Sequence, residues 1–376
     1  MSNYKINRKQ IDMSNYKPLS VALRPEFFRD FVYNEPAISI VKNMLANDTL
    51  PNGLILSGIR GVGKTTLARI VSRSLNCTNR QPDSAEPCGE CESCKESLQS
   101  AHPDILEIDG ATHSGVEDIR RIIDSAYTTP LLGNKKVYIL DEAHNLARSV
   151  ASWDTLLKIL EEPPDHVFWI FCTTQKHKIP DVIKSRLVTL DLKSVPESVL
   201  SNYLYSVMQW MFPDQDTEIN GMVSYYVSIS SGNSIRDALT LLEKVIPYCK
   251  EKGWVADNVW EAIGSFDTSK VQEILNHLAS KDSTKLWALI SSLIEGGIDP
   301  EVIYGSINTV ISGLILANLG GRGPYENIIR PYLSHFPPPR ALALADIVLK
   351  RQRDFDISTR KSMVLQVMAL ELCNAS

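Results

Sequence analysis

At 376 residues the chain exceeds what one ordinary hydrophobic core accommodates, so two or three domains are expected. Hydrophobic residues make up 44% and charged residues 22%, which excludes a mostly disordered chain. The net charge of -5 excludes a global basic field, so any contact with nucleic acid has to use a local basic surface. The opening residues, MSNYKINRKQID, contain no apolar stretch of the secretion-signal kind. No uninterrupted apolar run approaches the roughly 18 residues of a membrane span, and a cytoplasmic protein without membrane contact is expected.

Taken in chain order, residues 1–15 form an extension expected to be disordered, and the pentapeptide MSNYK of residues 1–5 returns at Met13–Lys17. That duplication reads as an alternative start at Met13 or an artefact of expression, not as a structural repeat. Residues 16–192 alternate short apolar runs with helical stretches. Leu54–Leu56, Ile105–Ile108, Val137–Leu140, Val167–Cys172 and Leu187–Leu190 read as buried strands, the pattern of an α/β domain with a mostly parallel sheet. Residues 193–250 then carry apolar positions at helical spacing, as in Val199–Trp210 and Ser234–Val245, and form a small helical domain. Residues 254–376 read as a third, all-helical domain broken at Gly296-Gly297, at Gly320–Pro324 and at Pro337–Pro339.

The run Gly58-Ile59-Arg60-Gly61-Val62-Gly63-Lys64-Thr65 follows the first strand and opens an amphipathic helix carrying Leu67, Ile70 and Val71, the context a P-loop requires. Gly58, Gly61 and Gly63 let backbone N–H groups, with those of Val62 and Thr66, turn toward a phosphate at a helix N-terminus. Lys64 reaches the β and γ oxygens of ATP, and the Thr65 hydroxyl ligates Mg²⁺. Strand Val137–Leu140 ends in Asp141-Glu142-Ala143-His144, at the strand end where ligands of open α/β sheets bind. Asp141 is expected in the Mg²⁺ shell and Glu142 as general base toward the attacking water. His144 is expected to shape the turn.

Of the seven cysteines, Cys77, Cys88, Cys91 and Cys94 form one compact C-x10-C-x2-C-x2-C group. Four thiolates without an open position describe a closed structural Zn²⁺ site. An iron-sulfur cluster is the competing assignment, although the fourth cysteine lies upstream and not in the downstream element of a ferredoxin run. Cys172, Cys249 and Cys373 lie in apolar segments, as buried free thiols do.

The P-loop, the cysteine insertion after its helix, the DEAH box, LLKILEEPP at Leu156–Pro164 and SIRDAL at Ser234–Leu239 occur together in this order. The combination resembles the gamma/tau subunits of bacterial DNA polymerase III and, more distantly, replication factor C subunits. The resemblance implies an AAA+ fold: an α/β P-loop domain with a RecA-like parallel sheet, a helical lid, and an all-helical collar that assembles subunits. It further implies that Arg24-Pro25 helps hold the adenine, that Thr174 senses the γ-phosphate, and that Arg186 of Ser185-Arg186 enters the ATP site of a neighbouring subunit. Arg236 matches a second sensor linking nucleotide state to the lid.

Three positions depart from the family pattern. Leu187 replaces a cysteine after Arg186, Tyr33-Asn34 stands where Gly-Gln is usual near the adenine, and the stretch between His144 and Leu156 is about two residues longer. The length resembles the short gamma form. The implied activity is that of an ATPase that opens a sliding clamp and loads it on primer-template DNA within a hetero-oligomeric ring, a pentamer, of clamp-loader subunits. The alternatives are a non-hydrolysing structural subunit of such a ring, or another AAA+ motor that remodels DNA. Thr112–Arg121, with a helix from about Val116, offers Arg120 and Arg121 as candidate phosphate contacts.

Overall fold

The computed structural model describes residues 17–112, 115–148, 150–264, 266, 268–321 and 325–375. The duplicated N-terminal pentapeptides lie outside these residues, except Lys17. The chain divides into two compact units, one of residues up to 214 with 231–240, the other of residues 215–230 with 241 onward.

In the first unit, β1 (Gly53–Ser57), β2 (Ile105–Asp109), β3 (Lys136–Asp141), β4 (Val167–Thr173) and β5 (Val188–Asp191) form one sheet in the order β2-β3-β4-β1-β5. Every pairing is parallel. Parallel strands need long crossovers, supplied here by α3 (Lys64–Asn76), α4 (Glu92–Leu98), α5 (Val116–Ala126), α6 (Val150–Glu161) and α7 (Asp181–Lys184); α1 (Leu19–Ala22) and α2 (Glu35–Ala46) precede β1, and α8 (Glu197–Met211) follows β5. All five expected strands are present, and the near-continuous apolar runs follow from burial on both faces.

Alternation along the strands decides which helix each residue meets. Leu54, Leu56, Val137, Ile139, Phe168 and Ile170 join Val41 and Leu45 of α2 and Leu67, Ile70 and Val71 of α3 in one core. The intervening residues, Ile55, Tyr138, Leu140, Trp169 and Phe171, join Ile119 of α5 and Trp153, Leu156 and Ile159 of α6 on the other face.

One buried carboxylate anchors the edge of this sheet. Asp104 is fully buried and accepts the backbone N–H groups of Leu131, Leu132 and Gly133 at 2.7–2.8 Å. Desolvation alone would raise its pKa, but the three donors outweigh it and hold the carboxyl below its usual value. The stabilisation is therefore complete above the unfolded pKa of about 4 and is lost as pH falls through the lower folded value. Asp104→Asn replaces one acceptor oxygen by a donor facing N–H groups, and a loss of about 3 kcal/mol is expected in urea denaturation at pH 7.

The second unit is helical: α9 (Thr217–Ser230), α10 (Ile235–Lys252) from residue 241, α11 (Ala256–Ile263), α12 (Thr268–Ala279), α13 (Ser283–Glu295), α14 (Pro300–Asn318), α15 (Glu326–Ile329), α16 (Pro338–Ile357) and α17 (Lys361–Asn374). Its core joins Trp260, Ile274, Ile290, Ile307, Val310, Phe336, Leu344 and Leu365. The expected break at Gly296-Gly297 falls between α13 and α14, with Gly297 at φ 84°. Pro337–Pro339 initiates a helix: Pro337 is the N-cap and Pro338 the first residue of α16. Proline fits there because the first N–H groups of a helix have no intrahelical partner. Among the described residues, α14 is the one helix long and apolar enough to cross a membrane. Its Ile303, Ile307, Val310, Ile311 and Leu314 are buried in this unit's core.

Candidate functional site

Sheet order brings the candidate residues together. β3, β4 and β1 are neighbours and run the same way, so Asp141, Thr173 and Ser57 finish on one edge of the sheet. From Ser57 the chain enters the P-loop, where an added Cβ on Gly58 would lie 2.5 Å from Leu192 O. Gly61 adopts φ 77°, and a Cβ there would lie 2.1 Å from Ser234 Oγ, so glycine lets the SIRDAL segment pack on the loop. Lys64 opens α3, a 13-residue helix whose N-terminus faces the loop.

Lys64 is buried, and its Nζ donates to the carbonyls of Gly58 at 2.9 Å and Ile59 at 3.0 Å. Burial lowers its pKa, opposed by the charges of Glu142 and Asp141. Thr65 Oγ1 donates to Asp141 Oδ2 at 2.8 Å. Adjacent ligands of an octahedral Mg²⁺ at about 2.1 Å lie about 3 Å apart, so this oxygen pair fits two neighbouring positions on such an ion.

Glu142 sits at φ 47°, a left-handed conformation that costs a non-glycine residue about 1–2 kcal/mol. Its N–H donates to Asp141 Oδ1 at 2.9 Å, and its Oε2 lies 3.2 Å from Thr174 Oγ1 and 3.3 Å from His144 Nδ1. His144 therefore touches the candidate base as well as Thr173 Oγ1 at 3.2 Å, a contact beyond the expected turn role.

A cavity of about 710 Å³ opens over the loop, a size suited to a small-molecule ligand. Arg24, Pro25, the run Gly61–Thr66, Asp141, Glu142 and Arg236 all line it. Gly58, Thr174 and Arg186 are not part of the lining, and Thr174 meets it through Glu142. Arg186 pairs with Glu161 and donates to Val182 O at 2.6 Å. Arg120 and Arg121 pair with Glu117 and Asp118 of their own helix α5, which begins at Val116 as expected; His113 and Ser114 of the candidate segment lie outside the described residues.

Several lining residues were not singled out from sequence. Arg69, one helical turn after Thr65, forms a bidentate pair with Glu107 at 2.8 and 2.9 Å. Burial, then the charges of Arg69 and Arg236, lower the pKa of Arg24. The guanidiniums of Arg24, Arg60, Arg69 and Arg236 and the Lys64 ammonium thus share one cavity, an arrangement that a polyanion relieves. Asn34, at φ 76°, uses both ends of its amide on residue 193: Oδ1 accepts Lys193 N at 2.7 Å and Nδ2 donates to Lys193 O at 3.1 Å. That amide thus clamps residue 34 to residue 193.

The four-cysteine group closes as its spacing indicated. The Sγ atoms of Cys77, Cys88, Cys91 and Cys94 all lie within 4.8 Å of one another, with Cys88 and Cys94 3.9 Å apart. Four sulfurs at about 2.3 Å from one Zn²⁺ would be about 3.8 Å apart, so the set fits a tetrahedral ion. The N–H groups of Glu90 and Cys91 point at Cys88 Sγ at 3.4 and 3.3 Å. Hydrogen bonds from Thr78 and Cys94 outweigh burial at Cys91 and bring its pKa down to about 6.

Over 290 residues the chain is 35% identical to the DNA polymerase III subunit gamma of Buchnera aphidicola subsp. Acyrthosiphon pisum, covering 77% of this chain and 78% of that one. The chain belongs to the gamma/tau subunits of DNA polymerase III. The tau/gamma subunit of Haemophilus influenzae is 33% identical over 307 residues, 81% of this chain and 43% of that protein. The tau subunit of Escherichia coli K12 is 31% identical over 290 residues, 77% and 44% respectively, so this gamma/tau chain spans under half of the longer relatives. The family model for DNA polymerase III, delta subunit, matches residues 33–196.

Among solved structures, the chain is similar to the RuvB Holliday junction branch migration motor of Thermotoga maritima (18% identity, TM-score 0.47, 74% of this chain and 86% of that one). It is also similar to a gamma subunit-related protein of the same organism (16% identity, TM-score 0.38, 90% and 99%). The strand order and element sequence give this gamma/tau chain a parallel α/β domain followed by a largely helical C-terminal part.

Proposed function

We propose that this chain is an ATP-hydrolysing clamp-loader subunit that uses ATP to open a sliding clamp and load it on primer-template DNA. The observation that carries the reading is the convergence of Lys64, Thr65, Asp141, Glu142 and Arg236 on one cavity beside a helix N-terminus. Residues 16–192 would bind ATP, 193–250 act as lid and 254–376 as collar. In this reading Lys64 neutralises the β and γ oxygens, Glu142 takes the proton of the attacking water, and Thr174 holds Glu142 and senses the γ-phosphate. Thr65 and Asp141 would hold Mg²⁺, which would supply charge at the same oxygens. Arg24 and Pro25 form the wall on the adenine side, and Arg236 joins nucleotide to lid. The four cysteines would hold Zn²⁺ as a structural tie, testable by metal analysis, where iron with labile sulfide would sink it.

The chain would work in the cytoplasm, in a hetero-oligomeric ring, a pentamer, with Arg186 completing the site of the next subunit. The intact Lys64, Glu142 pair speaks against a non-hydrolysing subunit. The deciding measurement is steady-state ATP hydrolysis by the chain with its partner subunits, with and without primer-template DNA and the clamp. Stimulation that needs both DNA and clamp is expected; activity indifferent to the clamp would favour another DNA-remodelling motor, and none at all a structural subunit.

A further inference from the structure

The wall of the cavity formed by residues 24–34 belongs to no strand of the sheet, and its position depends on a few long-range ties. At one end Asn34 holds Lys193, and Phe31 packs on Gly63, where an added Cβ would lie 3.1 Å from the ring. The middle is held from the four-cysteine insertion. Both carboxylate oxygens of Glu86 accept backbone N–H groups, Oε2 from Phe28 and Oε1 from Arg29, each at 3.0 Å. Gly89, at φ 77°, lies so close to the Phe27 ring that a Cβ there would be 2.8 Å away. Beneath them the buried Arg73 donates to Glu26 O at 2.6 Å and to Ser97 Oγ at 3.3 Å.

Glu86 and Gly89 stand within two residues of Cys88, so whatever fixes the cysteine group fixes both contacts. The carboxylate, moreover, meets the segment only through backbone groups; it sets where residues 28 and 29 lie whatever their side chains.

We propose that the four-cysteine insertion is a buttress for the nucleotide cavity, with Glu86 as the positioning residue: closing the cysteine site holds residues 24–31 against the adenosine side, so metal occupancy governs nucleotide affinity from outside the cavity. This rests on the nucleotide-site reading above. The phosphate side is built by β1 and the first turn of α3, whereas the insertion meets α3 at its far end, where Ser74 Oγ donates to Ala85 O and Cys77 caps the helix; the effect therefore falls on the adenosine part. If loosening leaves the wall in place about one tenth of the time, the apparent Kd for ATP rises about tenfold.

The test is isothermal titration of the full chain with ATP and with inorganic tripolyphosphate, for wild type, zinc-stripped protein, Glu86→Ala, Glu86→Gln and Lys64→Ala, with zinc content measured in each. Glu86→Ala and zinc stripping are expected to weaken ATP about tenfold, leave tripolyphosphate within about twofold, and speed tryptic cleavage after Arg29. Glu86→Gln, which keeps one acceptor oxygen, is expected between wild type and Glu86→Ala, and carries the test if Glu86→Ala fails to fold. Unchanged ATP affinity in the Glu86 variants and zinc-stripped protein, alongside a weakened Lys64→Ala, would overturn the buttress and leave the nucleotide site standing. Equal loss for ATP and tripolyphosphate would also overturn it, as a general loss of structure. If Lys64→Ala binds ATP like wild type, the nucleotide site itself falls, and the buttress with it.

Discussion

Glu142→Gln is expected to lower steady-state ATP turnover by about a hundredfold or more while ATP binding stays at the wild-type level. The substitution is isosteric, and the contacts that hold the side chain survive it. Thr174 Oγ1 and His144 Nδ1 approach the carboxylate at 3.2 and 3.3 Å, and an amide oxygen accepts from either as a carboxylate does. The left-handed backbone at residue 142 is fixed by the turn after β3 and by the N–H bond to Asp141 Oδ1, neither of which involves the carboxylate. What is lost is the capacity to take a proton. In the proposed site, phosphate affinity resides in the loop, Lys64 and the Thr65–Asp141 pair, all untouched by the substitution. Calorimetric ATP affinity together with phosphate-release kinetics separates the two quantities. Turnover at the wild-type rate would remove Glu142 from the role of base; parallel loss of binding and turnover would mean that the strained turn had collapsed.

How far the site could be read from sequence depends on how local its determinants are. The P-loop and the DEAH box are each contiguous and each follows a strand, so the edge on which they meet follows once the sheet is known to be parallel. Cysteine spacing likewise carries the closed thiolate set, because three ligands fall within seven residues, from Cys88 to Cys94. Arg69 could have been found from its place one helical turn beyond Thr65, on the same face of α3. By contrast, the Asn34–Lys193 clamp joins residues 159 apart and the Glu86 ties join residues 58 and 57 apart. These pairings have no period and no local composition, and only packing brings them together. Tyr33-Asn34 illustrates the limit: in sequence it is a departure from the family pattern near the adenine, while in the fold its asparagine is a backbone clamp between α2 and the end of the sheet. The strain at Glu142 was equally hidden, since glutamate carries no sequence signal for a positive φ. The turn that holds it is set by Gly110, whose N–H donates to Asp141 O at 2.8 Å and where an added Cβ would lie 2.9 Å from Glu142 O.

Arg186→Ala is expected to lower turnover by about a thousandfold in the assembled, DNA-stimulated ring, the range for a withdrawn arginine finger, while the isolated chain binds ATP as before. The second half follows from position: Arg186 does not line its own chain's cavity and is engaged by Glu161 and Val182 O. The cost to stability is small, because Arg186 and Glu161 form a half-exposed pair of the kind that contributes at most about 1 kcal/mol. A surface pair with no further role would therefore leave turnover unchanged, and that result would discard the finger. A mixing experiment distinguishes action within a chain from action between chains. Arg186→Ala keeps its own Glu142, and Glu142→Gln keeps its own Arg186. Where the two variants lie side by side in a ring, one of the two interfaces combines an intact base with an intact arginine from the neighbour. Mixed rings are thus expected to recover turnover that neither variant shows alone. If Arg186 served its own chain's site, every site would lack one of the two groups and mixing would restore nothing.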